Sequence, residues 1–222
     1  MQTIKTDYAS GNFSSALENI KLFLNEKDSE NLGRALDVLE QYILVNVALE
    51  NYNDAYNDAS FMLKRAQEEA PNNLYYIGRG MLMMGLTSLK ADKNPEETEE
   101  YLSSAFRLLS EAKNGQNYAV ESLLNLGIFW MNIGDTEKAE ELFFQALEKF
   151  TPLFPQYEKN PPPEKNIEAY PRILFNIGKL LTVRKGGDKE EGKDFLRRAK
   201  TVAEQYGWSA LVKKIQNFLP EN

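Results

Sequence analysis

None of the 222 residues is cysteine or histidine. The chain therefore offers no disulfide, no thiolate nucleophile, no thiolate or imidazole metal ligand, and none of the commonest general base. Carboxylates, Lys, Tyr and Ser are left for acid–base or nucleophilic work. Three clusters invite a chemical reading. Gly78-Arg79-Gly80 with Gly85 has the glycine density of a phosphate loop, but no strand precedes it and no Gly-Lys-Ser/Thr follows. The acids of Pro95-Glu96-Glu97-Thr98-Glu99-Glu100 are expected at a helix start, where the backbone dipole favours them, rather than around a metal. Met81, Met83 and Met84 could form an adaptable contact surface, although methionines grouped in this way are more often core. No catalytic residue, no cofactor and no metal site is expected, and the chain reads as a non-enzyme.

The net charge of −7 disfavours general nucleic-acid binding. It is unevenly spread. Residues 1–170 carry 15 basic and 27 acidic side chains, whereas residues 171–222 carry 11 and 6. Arg197, Arg198, Lys200, Lys213 and Lys214 make the C-terminal end basic. Without interleaved aromatics this is a weak nucleic-acid signal; it suits an acidic protein surface, including the N-terminal part of a second copy. No apolar run reaches the roughly 18 residues that a membrane span needs. The opening MQTIKTDYASGNFSSA has no basic region followed by an apolar one, so a cytoplasmic location is expected.

The elements that must position these side chains are helices. A short pattern recurs: a turn, then a small residue that begins an amphipathic stretch. It occurs around Ala16, Ala55, Thr98, Ala139 and Gly192, at spacings of 39, 43, 41 and 53. From Ala139 the apolar positions Leu142, Phe143, Ala146, Leu147 and Phe150 form one helical stripe. Asn94 with Pro95, and Asp188 with Glu191, have the chemistry of helix starts, while Gly134 and Gly186 suit helix ends. No β-hairpin signal is present. The spacing predicts an all-α chain of about ten or eleven helices in antiparallel hairpins. Their expected ranges are 13–26, 29–49, 52–70, 72–91, 95–113, 117–133, 136–150, 165–184, 188–206 and 208–219. The chain is read as one domain, 1–222. Within it lie a Pro-rich insertion loop at 151–171, with six prolines, and a basic C-terminal repeat and capping helix at 172–222.

Leu123, Leu126-Gly127 and Trp130, then Gly134, Ala139, Phe143 and Ala146, resemble a tetratricopeptide (TPR) repeat. Weaker copies run through Leu174, Ile177-Gly178, Gly192, Leu196 and Ala199, and through Met81, Met84-Gly85, Thr98, Leu102 and Ala105. The spacing near 42 is similar to the longer-helix variant of that family. The resemblance implies hairpins stacked as a right-handed superhelix (an α-solenoid) whose first helices line a concave groove. Carried over by position, the groove residues are Arg79, Met83, Asn125, Ile128, Asn132, Arg172, Asn176 and Lys179. An Asn can pair with both polar groups of an extended peptide, and an Arg can fork onto a carboxylate. Leu82 and Leu86 stand where some members carry the Lys and Asn of a carboxylate clamp, which argues against that use.

The resemblance implies a protein–protein interaction module or adaptor that binds a peptide or protein segment. Two alternatives stand beside it. One is a structural or self-associating subunit, forming a homo-oligomer through an end where Phe13, Ile20 and Phe23 lack an outer neighbour. The other is a ligand-sensing regulator.

Overall fold

Asparagine and aspartate caps set where the helices begin. In the computed structural model, which describes residues 12–24, 31–153 and 169–219, Asn31, Asn73, Asn94, Asp135 and Asp188 each accept a backbone N–H of the following first turn. The helices are α1 (Phe13–Leu24), α2 (Leu32–Ala48), α3 (Tyr52–Glu69), α4 (Leu74–Lys90) and α5 (Pro95–Glu111), then α6 (Gln116–Ile133), α7 (Thr136–Phe150), α8 (Ala169–Val183), α9 (Lys189–Gln205) and α10 (Ser209–Gln216). A 3₁₀ turn, Thr151–Leu153, follows α7. No strand occurs among the described residues. The ten expected helices are all present, with ends within a few residues of their expected places. Among the described residues no helix is long and apolar enough to cross a membrane.

Two expectations need correction. Pro171 falls both in the expected insertion loop, 151–171, and in the expected helix, 165–184; it lies two residues into α8, so the loop bound moves back. A proline in a first turn costs no helical hydrogen bond, because that N–H would be unpaired anyway. Residues 154–168 of the expected loop lie outside the described residues. The second correction concerns the N-terminal end. Ile20 is fully buried in a cluster with Ala16, Val38 and Val45, so α2 covers it, and Phe13 packs against that cluster while staying partly exposed. The side chain of Phe23 lies outside the described residues.

The chain divides into two compact units, Met1–Ser122 and Leu123–Asn222. In the first, each helix packs on the next from α1 to α5, and α2 also meets α4. In the second, α7 packs on α8, α8 on α9 and α9 on α10. Short turns bring α3, α4, α5, α7, α9 and α10 back against their predecessors. The result is a helical-repeat architecture.

The repeat is visible in backbone geometry. Glu50, Asp92 and Gly134 all have positive φ (63°, 51° and 94°), at intervals of 42 residues. Each is followed by an N–H that reaches back five residues: Asn51 to the Asn46 carbonyl, Lys93 to Ser88, Asp135 to Trp130. This closure ends a helix with its last carbonyls satisfied. It is visible in packing too. The small residues Ala16, Ala55, Thr98, Ala139 and Gly192, all three places into their helices, are buried. Four residues further on, a large side chain meets a glycine of the preceding helix. A Cβ on Gly85 would lie 2.5 Å from Leu102, one on Gly127 2.4 Å from Phe143, and one on Gly178 2.7 Å from Leu196. In the pair α2–α3 the sizes are exchanged: Ile43 stands at the glycine position and Ala59 at the large one.

Candidate functional site

The glycines around Arg79 are packing devices. A Cβ on Gly78 would lie 2.7 Å from Leu109 of α5, and one on Gly80 2.9 Å from the backbone of Leu63 on α3. They let α4 pass between its two neighbours, which accounts for the glycine-rich stretch without a phosphate. Met83 and Met84 are buried there as core.

Arg79 itself is 2% exposed. Its Nε donates to Glu40 Oε2 at 2.9 Å, and its Nη2 to Glu40 Oε2 at 2.5 Å and to Asp37 Oδ1 at 2.8 Å. Tyr118 Oη donates to both oxygens of Glu40, at 3.1 and 3.3 Å. The guanidinium lies 5.3 Å from the Tyr75 ring centre and 5.1 Å from that of Tyr118, and the two rings meet edge-on at 5.7 Å. Burial works against the Arg79 charge, but the attraction of Glu40 and Asp37 outweighs it and holds the group above its usual range. Burial, reinforced by the Glu40 charge, pushes the Tyr118 hydroxyl up, so it stays a donor. The cluster ties α2, α4 and the start of α6 into one register. The fork of Arg79, expected to face a ligand carboxylate, is engaged with two carboxylates of its own chain.

Of the other groove residues, Asn125 and Asn176 are 3% and 7% exposed. Asn176 Nδ2 donates to the Arg172 carbonyl one turn back at 2.7 Å. Ile128, Arg172 and Lys179 are partly exposed and Asn132 is exposed, with the partly exposed Met131 and Phe175 and the open Val183 beside them in sequence. All seven belong to the second unit. Lys179 Nζ lies 5.8 Å from the ring centre of Phe218, which meets Phe175 edge-on at 5.7 Å. Sequence reasoning missed Phe218, Asp37, Glu40, Tyr75 and Tyr118 as parts of these constellations. On the basic end, Arg197, Arg198, Lys213 and Lys214 are exposed, and Arg198 Nη2 reaches Tyr170 Oη at 3.3 Å.

The first unit also carries an open cleft of about 820 Å³. It is lined by the α3–α4 turn from Ala70 to Asn73, by Leu74, Tyr75 and Tyr76, and by Glu111 to Asn114. Two tyrosines, three asparagines and one charge of each sign offer hydrogen bonding to a polypeptide. They do not supply converging carboxylates or a nucleophile–base pair. Among the described residues no group of three or more acids could hold a metal ion.

No family model and no curated protein matches the chain. Among solved structures it is similar to BtubC (BKLC) from P. vanneervenii, at 13% sequence identity and a TM-score of 0.49, covering 94% of this chain and 88% of that one. At that distance the likeness bears on neither fold family nor function.

Proposed function

We propose that the chain is a TPR-like right-handed solenoid acting as a non-enzymatic adaptor: it binds a peptide or protein segment along the first helices of its hairpins. The observation that carries the repeat reading is the contact between a glycine and a large side chain, made alike by Gly85 with Leu102, Gly127 with Phe143 and Gly178 with Leu196. In the TPR pattern these are the positions that let hairpin helices approach closely. The binding face is then assigned by exposure. Arg79, Met83, Asn125 and Asn176 are internal, whereas Ile128, Arg172 and Lys179 are partly exposed and Asn132 is exposed. Apolar contacts at Ile128 and Phe175 supply affinity, and Asn132, Arg172 and Lys179 supply orientation.

The test is affinity capture from a lysate of the native cells with tagged wild type and with Ile128→Asp/Lys179→Glu, followed by mass spectrometry. A set of proteins held by the wild type and lost by the variant is expected. Identical eluates from two equally folded baits refute the assignment of the face.

A further inference from the structure

The contact of Phe218 with Phe175 and Lys179 places the chain's own C-terminal segment on the α8 side of the proposed face. That segment is weakly held. Helix α10 is eight residues long, begins at Trp208 without a side-chain cap, and has a single buried residue, Ile215. Leu211, Val212, Phe218 and Leu219 are only half-buried. Gly207 stands just before it at φ 73°, with nothing within 4 Å of where a Cβ would be. A helix this short has little stability of its own and stays folded only while docked. Its exposed Lys213 and Lys214 also add positive charge to a region, 171–222, that is already net positive.

We propose that residues 209–219 are a built-in, displaceable occupant of the α8 end of the partner site. The partner is a short amphipathic helix with the same apolar spacing, ending in an aromatic residue where Phe218 now sits, and with an acidic polar face. This rests on the groove reading given above. The aromatic takes the edge-on place against Phe175 and beneath Lys179, and the acidic face answers the basic surroundings that Lys213 and Lys214 only aggravate. Docking in cis lowers the apparent affinity of the partner by the fraction of chains whose segment is closed. The segment therefore sets the threshold for binding, and an occupant able to displace it must match its apolar pattern.

The experiment uses the full-length chain and two synthetic peptides: WSALVKKIQNFL, which is residues 208–219, and WSALVEEIQNFL, which carries Lys213→Glu and Lys214→Glu. Binding is measured by calorimetry to wild type, Phe218→Ala and Ile215→Ala, and native-state hydrogen exchange is read by segment. The acidic peptide is expected to bind both variants about tenfold or more tightly than wild type, and more tightly than the lysine peptide. Amides of α10 are expected to exchange about a hundredfold faster than those of α8 and α9. Lys179→Glu, placed in either variant, should reverse the order of the two peptides. Equal binding to wild type and both variants, or α10 amides as protected as those of α8, overturns the proposal. The capture experiment with Ile128→Asp/Lys179→Glu reports on the wider face independently. Lost captures beside peptide indifference reject the displaceable segment alone, and unchanged captures beside peptide displacement reject the wider face alone.

Discussion

Arg79→Met removes the charge at the centre of the α2–α4–α6 cluster while keeping much of the aliphatic stem. Two losses follow. Glu40 is left as a carboxylate about nine-tenths buried, with the Tyr118 hydroxyl as its remaining partner in the cluster. Breaking one side of a buried ion pair costs about 3–5 kcal/mol, most of it the stranded charge; the surviving tyrosine bond places Glu40 at the lower end. The cation over two tyrosine rings adds roughly 0.5–1 kcal/mol. Asp37 contributes little, since its side chain is 30% exposed and water replaces its partner. The expected destabilisation is about 3–4 kcal/mol.

The assay is urea unfolding followed by far-UV circular dichroism, with the slope m checked for constancy. The discriminating arm is the double variant Arg79→Met/Glu40→Leu. If the stranded carboxylate is the source, removing it as well restores stability to within about 1–2 kcal/mol of wild type, the remainder being the unpaired Tyr118 hydroxyl. A single variant within about 1 kcal/mol of wild type, or a double variant no better than the single, refutes the reasoning.

Other consequences follow from the same geometry. Gly127→Ala puts a Cβ 2.4 Å from Phe143, so a loss of about 1–3 kcal/mol is expected, largely recovered by Phe143→Leu and read as a thermal midpoint. Glu50→Gly relieves a left-handed residue in a turn where the equivalent position 134 is already glycine; a gain of about 0.5–1 kcal/mol is expected by chemical denaturation, net of the extra freedom of the unfolded chain. Asp58 is pushed up to about 6, first by burial and further by Asp54, against the opposing Asn46 hydrogen bond. Its folded value lies above the ordinary 3.8, so its contribution is full at acid pH and is lost as the pH rises through about 6. Asp58→Asn should therefore gain about 1 kcal/mol at pH 7, after allowance for solvent screening at a half-buried site, and nothing below pH 4.

Several helices were legible because two independent signals agree at their starts. Asn94 with Pro95, Asp135, and Asp188 cap where the apolar period begins, and the caps are made by those side chains. The small-on-large contacts were legible for the same reason: Gly127 and Phe143 belong to one repeat pattern, so position within the repeat specifies both partners. Burial of a polar side chain was harder to read. Asn176 bonds to the carbonyl of its own helix, a local choice that any mid-helix Asn has and that no spacing announces.

Arg79 is the instructive case. Its place within the hairpin is the same as that of Arg172, yet Arg172 is partly exposed and Arg79 is sealed. Position within a repeat says which way a side chain leaves its own helix. It does not say what the neighbouring copy presents there. In a stack, residues one period apart face each other across adjacent copies, so a partner for residue 79 must be sought about 40 residues away. Glu40 lies 39 residues before Arg79, Asp37 lies 42 before it, and Tyr118 is 78 beyond Glu40, two such steps. An acid pair one turn apart, one period upstream of an arginine, was therefore already a signal of a sealed ion pair. Reading the chain in register across its copies, as well as down each one, would have separated the sealed arginine from the partly exposed one.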